Sequence, residues 1–150
     1  MDVEEHIKTN NKLPSYRRLI LNTLFSANYM NEKIVEVLKE FDISEPQFNV
    51  LRILRGQKGK PANLSTIQER MISRMSNTTR LVDKLIKKDL VKRVTCENNR
   101  RKVEITITPE GLKLLDKIDP VFEEAEKEVV KNLNEKEVET LIELLNKLRK

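Results

Sequence analysis

The chain of 150 residues contains few of the residue types that most redox and metal sites require. Its only cysteine is Cys96, so no disulfide can form within the chain. Its only histidine is His6, near the start of the chain, and one histidine with one cysteine makes a poor zinc site. We therefore expect neither a bound metal nor a cofactor.

Glycine is also scarce, with only Gly56, Gly59 and Gly111, and these do not form a glycine-rich phosphate-binding loop. No motif pairs a nucleophile with a general base, and the carboxylates lie on helix faces predicted to be solvated. The sequence therefore predicts a protein that is not an enzyme.

Long apolar runs are missing as well. No stretch approaches the roughly 20 apolar residues that a membrane-spanning helix needs. The start, residues 1–5, is acidic and does not resemble a secretory signal. The length suits one domain with its own core. The sequence thus predicts a cytoplasmic protein of one domain without a membrane segment.

Positive charge is abundant and unevenly placed. Residues 70–102 contain eleven basic and only three acidic residues, whereas residues 110–150 contain eleven acidic and eight basic ones. Charge of one sign in one region is typical of a surface that binds a polyanion such as nucleic acid. An evenly solvated surface is the alternative, but it would distribute the charges more uniformly.

Helical periodicity dominates the chain and predicts a mostly α-helical fold. A flexible start over residues 1–14 precedes a long helix that ends near Phe41. Ser44 and Gln47 have the spacing of a capping box and begin a second helix. The dipeptide Thr108-Pro109 begins another helix, predicted to reach about Leu133.

Two further signals mark the C-terminal region. Pro120 should kink or break its helix, because proline lacks a backbone donor and clashes with the preceding turn. Asn134 and Glu137 then have the spacing that begins a last amphipathic helix.

The middle of the chain predicts two adjoining helices and a β-hairpin. The helices cover residues 63–71 and 73–88, and the strands cover residues 91–96 and 102–108. This order is that of a winged helix-turn-helix, which places its second helix in the major groove and a β-loop beside the DNA backbone. The predicted fold is therefore mostly α with a small β-wing.

The second of these helices has two chemically different faces. Its apolar face predicts packing, and its opposite face predicts contact with DNA through Ser73, Arg74, Ser76, Asn77, Arg80 and Lys84. Asn77 could read adenine through its amide, or could be a solvated polar residue. Arg80 could contact DNA or pair with Asp83. Ser73 is the expected helix cap.

The hairpin completes the predicted DNA-binding set with Asn99, Arg100, Arg101 and Lys102. Residues 97–101 contain no glycine, so a tight two-residue turn is not expected and the arginines should lie at a projecting tip. Arginine at such a tip suits a narrow minor groove. Pairing of these arginines with Glu97 or with solvent is the alternative.

The terminal helices have more apolar residues than the central unit can cover. We therefore expect residues 44–108 to form the DNA-binding lobe of a single domain, residues 15–150. We expect residues 15–42 and 109–150 to form helices that dimerise with a second copy of the chain. The alternative is that these helices fold back onto their own chain.

Five segments resemble the MarR (multiple antibiotic resistance regulator) family: residues 43–48, 51–54, 76–91, 99–103 and 105–111. The resemblance implies a homodimeric transcriptional regulator, usually a repressor, on a pseudo-palindromic operator. In many members a small-molecule effector changes the spacing of the two lobes.

The sequence departs from the family pattern at two places. Asn99 stands where the family often has an acid, and the first helix lacks the cysteine of members that sense oxidants. Cys96 is interpreted as a packing residue.

Other functions fit the same charges. A sequence-independent architectural DNA-binding protein would use the same cations, but it would not distinguish an operator from random DNA. A regulator could also act without any effector. A protein-interaction module built on the terminal helices would bind no DNA even at low salt.

Overall fold

The computed structural model describes residues 2–73, 77–96 and 98–150, and describes only the backbone of Cys96, Arg100 and Arg101. The predictions made for Arg74 and Ser76 lie outside the described residues. The chain divides into two compact units. The first unit contains Met1–Glu36 and Ala125–Lys150, and the second contains Val37–Glu124.

Five helices, two strands and two further helices follow one another along the chain. Seven helices and two strands are described: α1 (Val3–His6), α2 (Ser15–Lys39), α3 (Glu45–Gly56), α4 (Leu64–Arg70), α5 (Thr78–Lys87), β1 (Val91–Cys96), β2 (Asn99–Ile107), α6 (Pro109–Val130) and α7 (Glu135–Leu148). The strands pair antiparallel in a two-stranded sheet. The predicted fold class, mostly α with a small β-wing, is confirmed.

The start of the chain differs from the flexible segment predicted for residues 1–14. Val3 is buried in the short helix α1, and the His6 ring lies 4.3 Å from the Phe25 ring of α2. Glu4 also pairs with Arg18 of α2. A single turn of helix is marginal alone, so these tertiary contacts rather than local propensity account for it.

The capping box predicted at Ser44 is confirmed, and the helix start predicted at Asn134 has a capping box as well. At the start of α3, Ser44 Oγ accepts a hydrogen bond from the Gln47 N–H at 3.3 Å, and Gln47 Oε1 accepts one from the Ser44 N–H at 3.2 Å. Asn134 and Glu137 make the same reciprocal pair at α7, at 3.0 and 2.8 Å. Each box satisfies two backbone donors that a helix start leaves unpaired.

The core of the second unit joins its helices to the hairpin. Its fully buried side chains are Leu38, Phe48, Val50, Leu51, Leu54, Ile67, Val82, Leu85, Ile105, Leu115 and Ile118. The Phe48 and Phe122 rings are 4.8 Å apart, and Arg55 of α3 makes two hydrogen bonds to Asp119 of α6 at 2.6 and 3.2 Å. These contacts fix α3 against the first half of α6.

A kink or a break is predicted at Pro120, and the break is wrong, because α6 continues through this residue to Val130. Proline inside a helix removes a hydrogen bond and clashes with the preceding turn, so packing must offset this cost. Buried Leu115, Ile118 and Phe122 flank Pro120 on both sides, and their packing holds the helical path. Within the described residues, no helix has the length and apolar character that crossing a membrane requires.

Candidate nucleic-acid interface

The second helix of the helix-turn-helix begins later than its sequence pattern predicts. We expected a start at Ser73, but α5 begins at Thr78. Asn77 is its cap, since Asn77 Oδ1 accepts a hydrogen bond from the Arg80 N–H at 3.2 Å. The prediction that Ser73 caps this helix is wrong. Asparagine and serine are nearly equal caps, so local propensity could not choose between them.

Capping gives Asn77 a structural role and restricts its chemistry. The amide oxygen is engaged by the backbone of α5, while the side chain as a whole remains exposed. Bidentate recognition of adenine needs both the amide oxygen and the amide nitrogen. In this conformation, the amide nitrogen of Asn77 is its main group for contacting another molecule.

The two faces of α5 separate as predicted. Thr78, Val82 and Leu85 are buried, whereas Arg80 and Lys84 are exposed. The helix has 10 residues, which corresponds to about 15 Å at 1.5 Å per residue. This is shorter than the sequence predicted, but it still exceeds the width of a B-DNA major groove, about 12 Å.

Arg80 does not form the ion pair that was its alternative interpretation. Asp83 instead accepts a hydrogen bond from Arg93 Nη1 of β1 at 2.7 Å. Within the described part of the chain, no carboxylate lies within ion-pair distance of Arg80. The Arg80 side chain lies on the exposed face of α5.

The hairpin has a tighter connection than the sequence predicted. Cys96 pairs with Asn99, so the strands pair within the segment where a five-residue tip, residues 97–101, was expected. Five consecutive pairs, from Val91↔Ile107 to Thr95↔Val103, keep one register. The register then shifts, and residues 100–102 of β2 have no partner on β1.

This shift marks a bulge or irregularity of β2 and leaves the predicted wing cations, residues 100–102, in an unpaired part of the strand rather than in a loop. The backbone of Arg100 and Arg101 belongs to β2, and Lys102 is exposed beside them. The missing glycine did not prevent a connection shorter than the predicted five-residue tip.

Backbone bonds anchor the wing to the helix-turn-helix. The Ala62 N–H donates to the Ile105 carbonyl at 2.9 Å, and the Ile105 N–H donates to the Ala62 carbonyl at 2.8 Å. Ala62 immediately precedes Asn63, the cap of α4. An open cleft of about 360 Å³ is lined by Asn63, Leu64, Ser65, Asn99, Lys102 and Val103. The start of α4 and β2 are therefore neighbours on one side of the unit.

Hydrogen bonds of Thr108 hold the segment that leads from β2 into α6. Thr108 Oγ1 donates to the Asp89 carbonyl at 2.6 Å and accepts a hydrogen bond from the Gly111 N–H at 3.1 Å. A Cβ added to Gly111 would lie 2.4 Å from the Leu90 carbonyl oxygen. Only glycine permits this close approach of α6 to the loop that leads from α5 into β1.

Two residues of this region were not singled out by the sequence. Arg93 connects the wing to α5, but nothing in the sequence shows which acid it meets. Ile72 is 98% exposed in the turn that follows α4. The sequence feature that could have indicated Ile72 is its apolar side chain directly before Ser73 and Arg74, two polar residues.

Comparison with known proteins identifies the same region. The sequence profile of the MarR family matches residues 43–103. The HTH-type transcriptional regulator PecS of Dickeya dadantii is 28% identical over 136 residues, which cover 88% of this chain and 81% of PecS.

Solved structures show the same fold. A mutant MarR from E. coli, complexed with operator DNA, has a TM-score of 0.78 and 26% identity over 91% of this chain and 99% of that one. BpsR from Bordetella bronchiseptica has a TM-score of 0.80 over 93% of this chain and 98% of that one. Its identity of 19% shows a shared fold alone. Residues 43–103 match the MarR family, and over most of its length the chain is similar to a helix-turn-helix transcriptional regulator.

Proposed function

We propose that this protein is a homodimeric, sequence-specific DNA-binding regulator that represses transcription from a pseudo-palindromic operator. The observation that carries the proposal is the exposed cationic face of α5, where Arg80 and Lys84 point away from the core, beside the basic residues 100–102 of β2. In a helix-turn-helix this helix enters the major groove and the wing lies along the backbone. The related MarR from E. coli binds operator DNA.

The DNA-binding set that we propose keeps all ten predicted residues, in revised roles. Arg80 and Lys84 contact base edges or phosphates, and the amide nitrogen of Asn77 lies at the end of α5 nearest the bases. Ser73, Arg74 and Ser76 precede this end in the sequence. Asn99, Arg100, Arg101 and Lys102 supply the wing contacts, with the arginines directed at the minor groove.

The proposed dimer rests on the apolar surface of the first unit. Leu24 of α2 is 58% exposed, as is Leu148 of α7. With Leu19, Ile20 and Thr23, these residues line one apolar cleft. Apolar clusters of this kind are normally covered by a partner. A second copy would cover them and present two α5 helices to half-sites about 34 Å apart.

Regulation by a small-molecule effector completes the proposal. An effector that binds the dimer better in a spacing unsuited to DNA lowers DNA affinity by that difference in binding energy. BpsR, whose DNA binding is regulated by 6-hydroxynicotinic acid, has the same fold. A regulator of this kind acts in the cytoplasm, where it meets the chromosome.

The test is nuclease footprinting of the purified chain on the DNA that flanks its own gene, with random DNA of equal length as competitor. We expect a protected site with two-fold symmetry and a large excess of affinity over random DNA. Equal affinity for both would instead indicate an architectural DNA-binding protein. The absence of any binding at low salt would contradict both and favour a protein-interaction module.

A salt titration adds an independent measure. If each protomer neutralises about four phosphates, log affinity should fall with log salt at a slope of about −7 for the dimer. A slope of about half this value would mean that a single protomer contacts the DNA.

A further inference from the structure

Among the described apolar residues of the second unit, Ile72 is the most exposed. Its side chain is 98% exposed, whereas the next apolar residue among those described in this unit, Val94, is 47% exposed. Single apolar residues on a surface are common, but most are partly covered by their neighbours. Ile72 therefore gains almost nothing from burial in the isolated chain.

The backbone explains why this side chain points outward. Met71 ends α4 in an extended conformation, with φ −75° and ψ 134°, and its side chain is buried. Successive side chains point in opposite directions along extended backbone. Burial of Met71 in the core therefore directs Ile72 towards solvent, and no rearrangement of the core is needed to offer it to a partner.

The surroundings of Ile72 indicate which partner it meets. In the sequence it follows Arg70 and precedes α5, which carries Arg80, and all three side chains are exposed. Basic residues on both sides of a single apolar residue in the sequence favour a polyanion that also presents an apolar patch. In the major groove only thymine presents such a patch, its C5-methyl group.

We infer that Ile72 reads a thymine in the operator by apolar contact with its C5-methyl group. This inference rests on the proposed DNA-binding function and adds a specificity-determining residue to it. In the sequence Ile72 precedes α5, the helix proposed to approach the bases, and we therefore assign its contact to a base pair at the margin of the half-site. Arg80 and its neighbours supply affinity, and Ile72 distinguishes thymine from cytosine at that position.

The test replaces thymine by uracil, which removes only the methyl group. Operator duplexes with uracil at one position of each half-site are titrated with the parent protein, with Ile72→Ala and with Ile72→Val. For the parent, one position should weaken binding about fourfold per methyl group, the change that corresponds to about 0.8 kcal/mol. Ile72→Ala should bind the thymine operator more weakly and lose this sensitivity, and Ile72→Val should retain most of it.

Leu112→Ala is the matched control, since Leu112 is a partly exposed apolar residue on α6 of the same unit. It should leave the sensitivity to uracil unchanged. The thermal unfolding of Ile72→Ala should match that of the parent, because almost none of the side chain is buried.

Three results would overturn the inference. The first is equal sensitivity of the parent and Ile72→Ala to uracil at every position. The second is a clear loss of stability in Ile72→Ala, which would show a structural role. The third is a change in its oligomeric state, which would show that Ile72 contacts another protein chain. If the parent does not prefer its operator over random DNA, the proposed function fails, and this inference fails with it.

Discussion

Asp83 of α5 and Arg93 of β1 form an ion pair at 2.7 Å that connects the second helix of the helix-turn-helix to the wing. Both side chains are less than half exposed. Because the pair joins the two elements proposed to contact DNA, it restricts the angle between them. It also engages Asp83, the acid that was the alternative partner of Arg80.

Breaking this pair should affect DNA binding more than folding. A partly exposed ion pair contributes less than about 1 kcal/mol to stability, so Arg93→Ala should unfold at nearly the parent's denaturant concentration. Its operator affinity should fall several-fold, because the wing is no longer held at a fixed angle to α5. Fluorescence anisotropy and urea titration measure the two quantities.

A charge-reversed double variant is the control for this prediction. Asp83→Arg with Arg93→Asp restores the pair without changing the net charge, and it should recover most of the lost affinity. If affinity instead follows the charge at position 93, then Arg93 contacts the DNA directly.

The wing arginines should contribute strongly to binding and little to stability. Arg100→Ala with Arg101→Ala removes two positive charges per protomer. If each charge neutralises one phosphate, the salt slope of the dimer should become less steep by about 3 to 4. The matched control, Lys147→Ala with Lys150→Ala, removes two positive charges from the C-terminal end. It should leave the slope unchanged, and an equal effect of both variants would refute the wing assignment.

Asn77 should contribute to stability as the cap of α5. Asn77→Ala removes the acceptor of the Arg80 N–H and should cost about 1 kcal/mol in the free energy of unfolding. Asn77→Asp keeps an acceptor and should retain stability, but its negative charge should weaken DNA binding. Ser73→Ala should change stability by less than about 0.5 kcal/mol. A larger loss for Ser73→Ala than for Asn77→Ala would place the cap at Ser73 after all.

Gly111 should not tolerate a side chain. In Gly111→Ala the new Cβ would lie 2.4 Å from the Leu90 carbonyl oxygen, a backbone atom that cannot easily move. We expect a loss of about 1–3 kcal/mol in the free energy of unfolding, measured by chemical denaturation. Gly56→Ala is the control, since no atom lies within 4 Å of its added Cβ. It should be neutral or stabilising by up to about 1 kcal/mol.

A charge at Leu24 should separate the proposed dimer. Leu24→Lys puts an ammonium group into the apolar cleft of the first unit, where a second copy would have to desolvate it. Analytical ultracentrifugation should show a shift towards monomer, and operator affinity should fall with it. Leu112→Lys, on α6 of the second unit, should leave the dimer intact. A Leu24→Lys protein that sediments like the parent would contradict this interface.

The features that could be predicted from the sequence depend on residues a few positions apart. The capping boxes at Ser44 and Asn134 each need a partner three residues away. The alternation along β2 and the apolar face of α5 are also local patterns. Such patterns gave the fold class, the order of the elements and the polar face of α5, because short-range hydrogen bonds and amphipathic periodicity act within one element.

Tertiary structure decided between alternatives that have nearly the same local free energy. Ser73 and Asn77 cap a helix about equally well, and Asp83 could meet an arginine on its own helix or on the wing. The hairpin register and the continuation of α6 through Pro120 likewise depend on packing between distant segments. The sequence by itself determined the fold class and where the positive charge is concentrated. Only the packed structure fixed which partner each side chain meets, because contacts across the core select among local alternatives of nearly equal free energy.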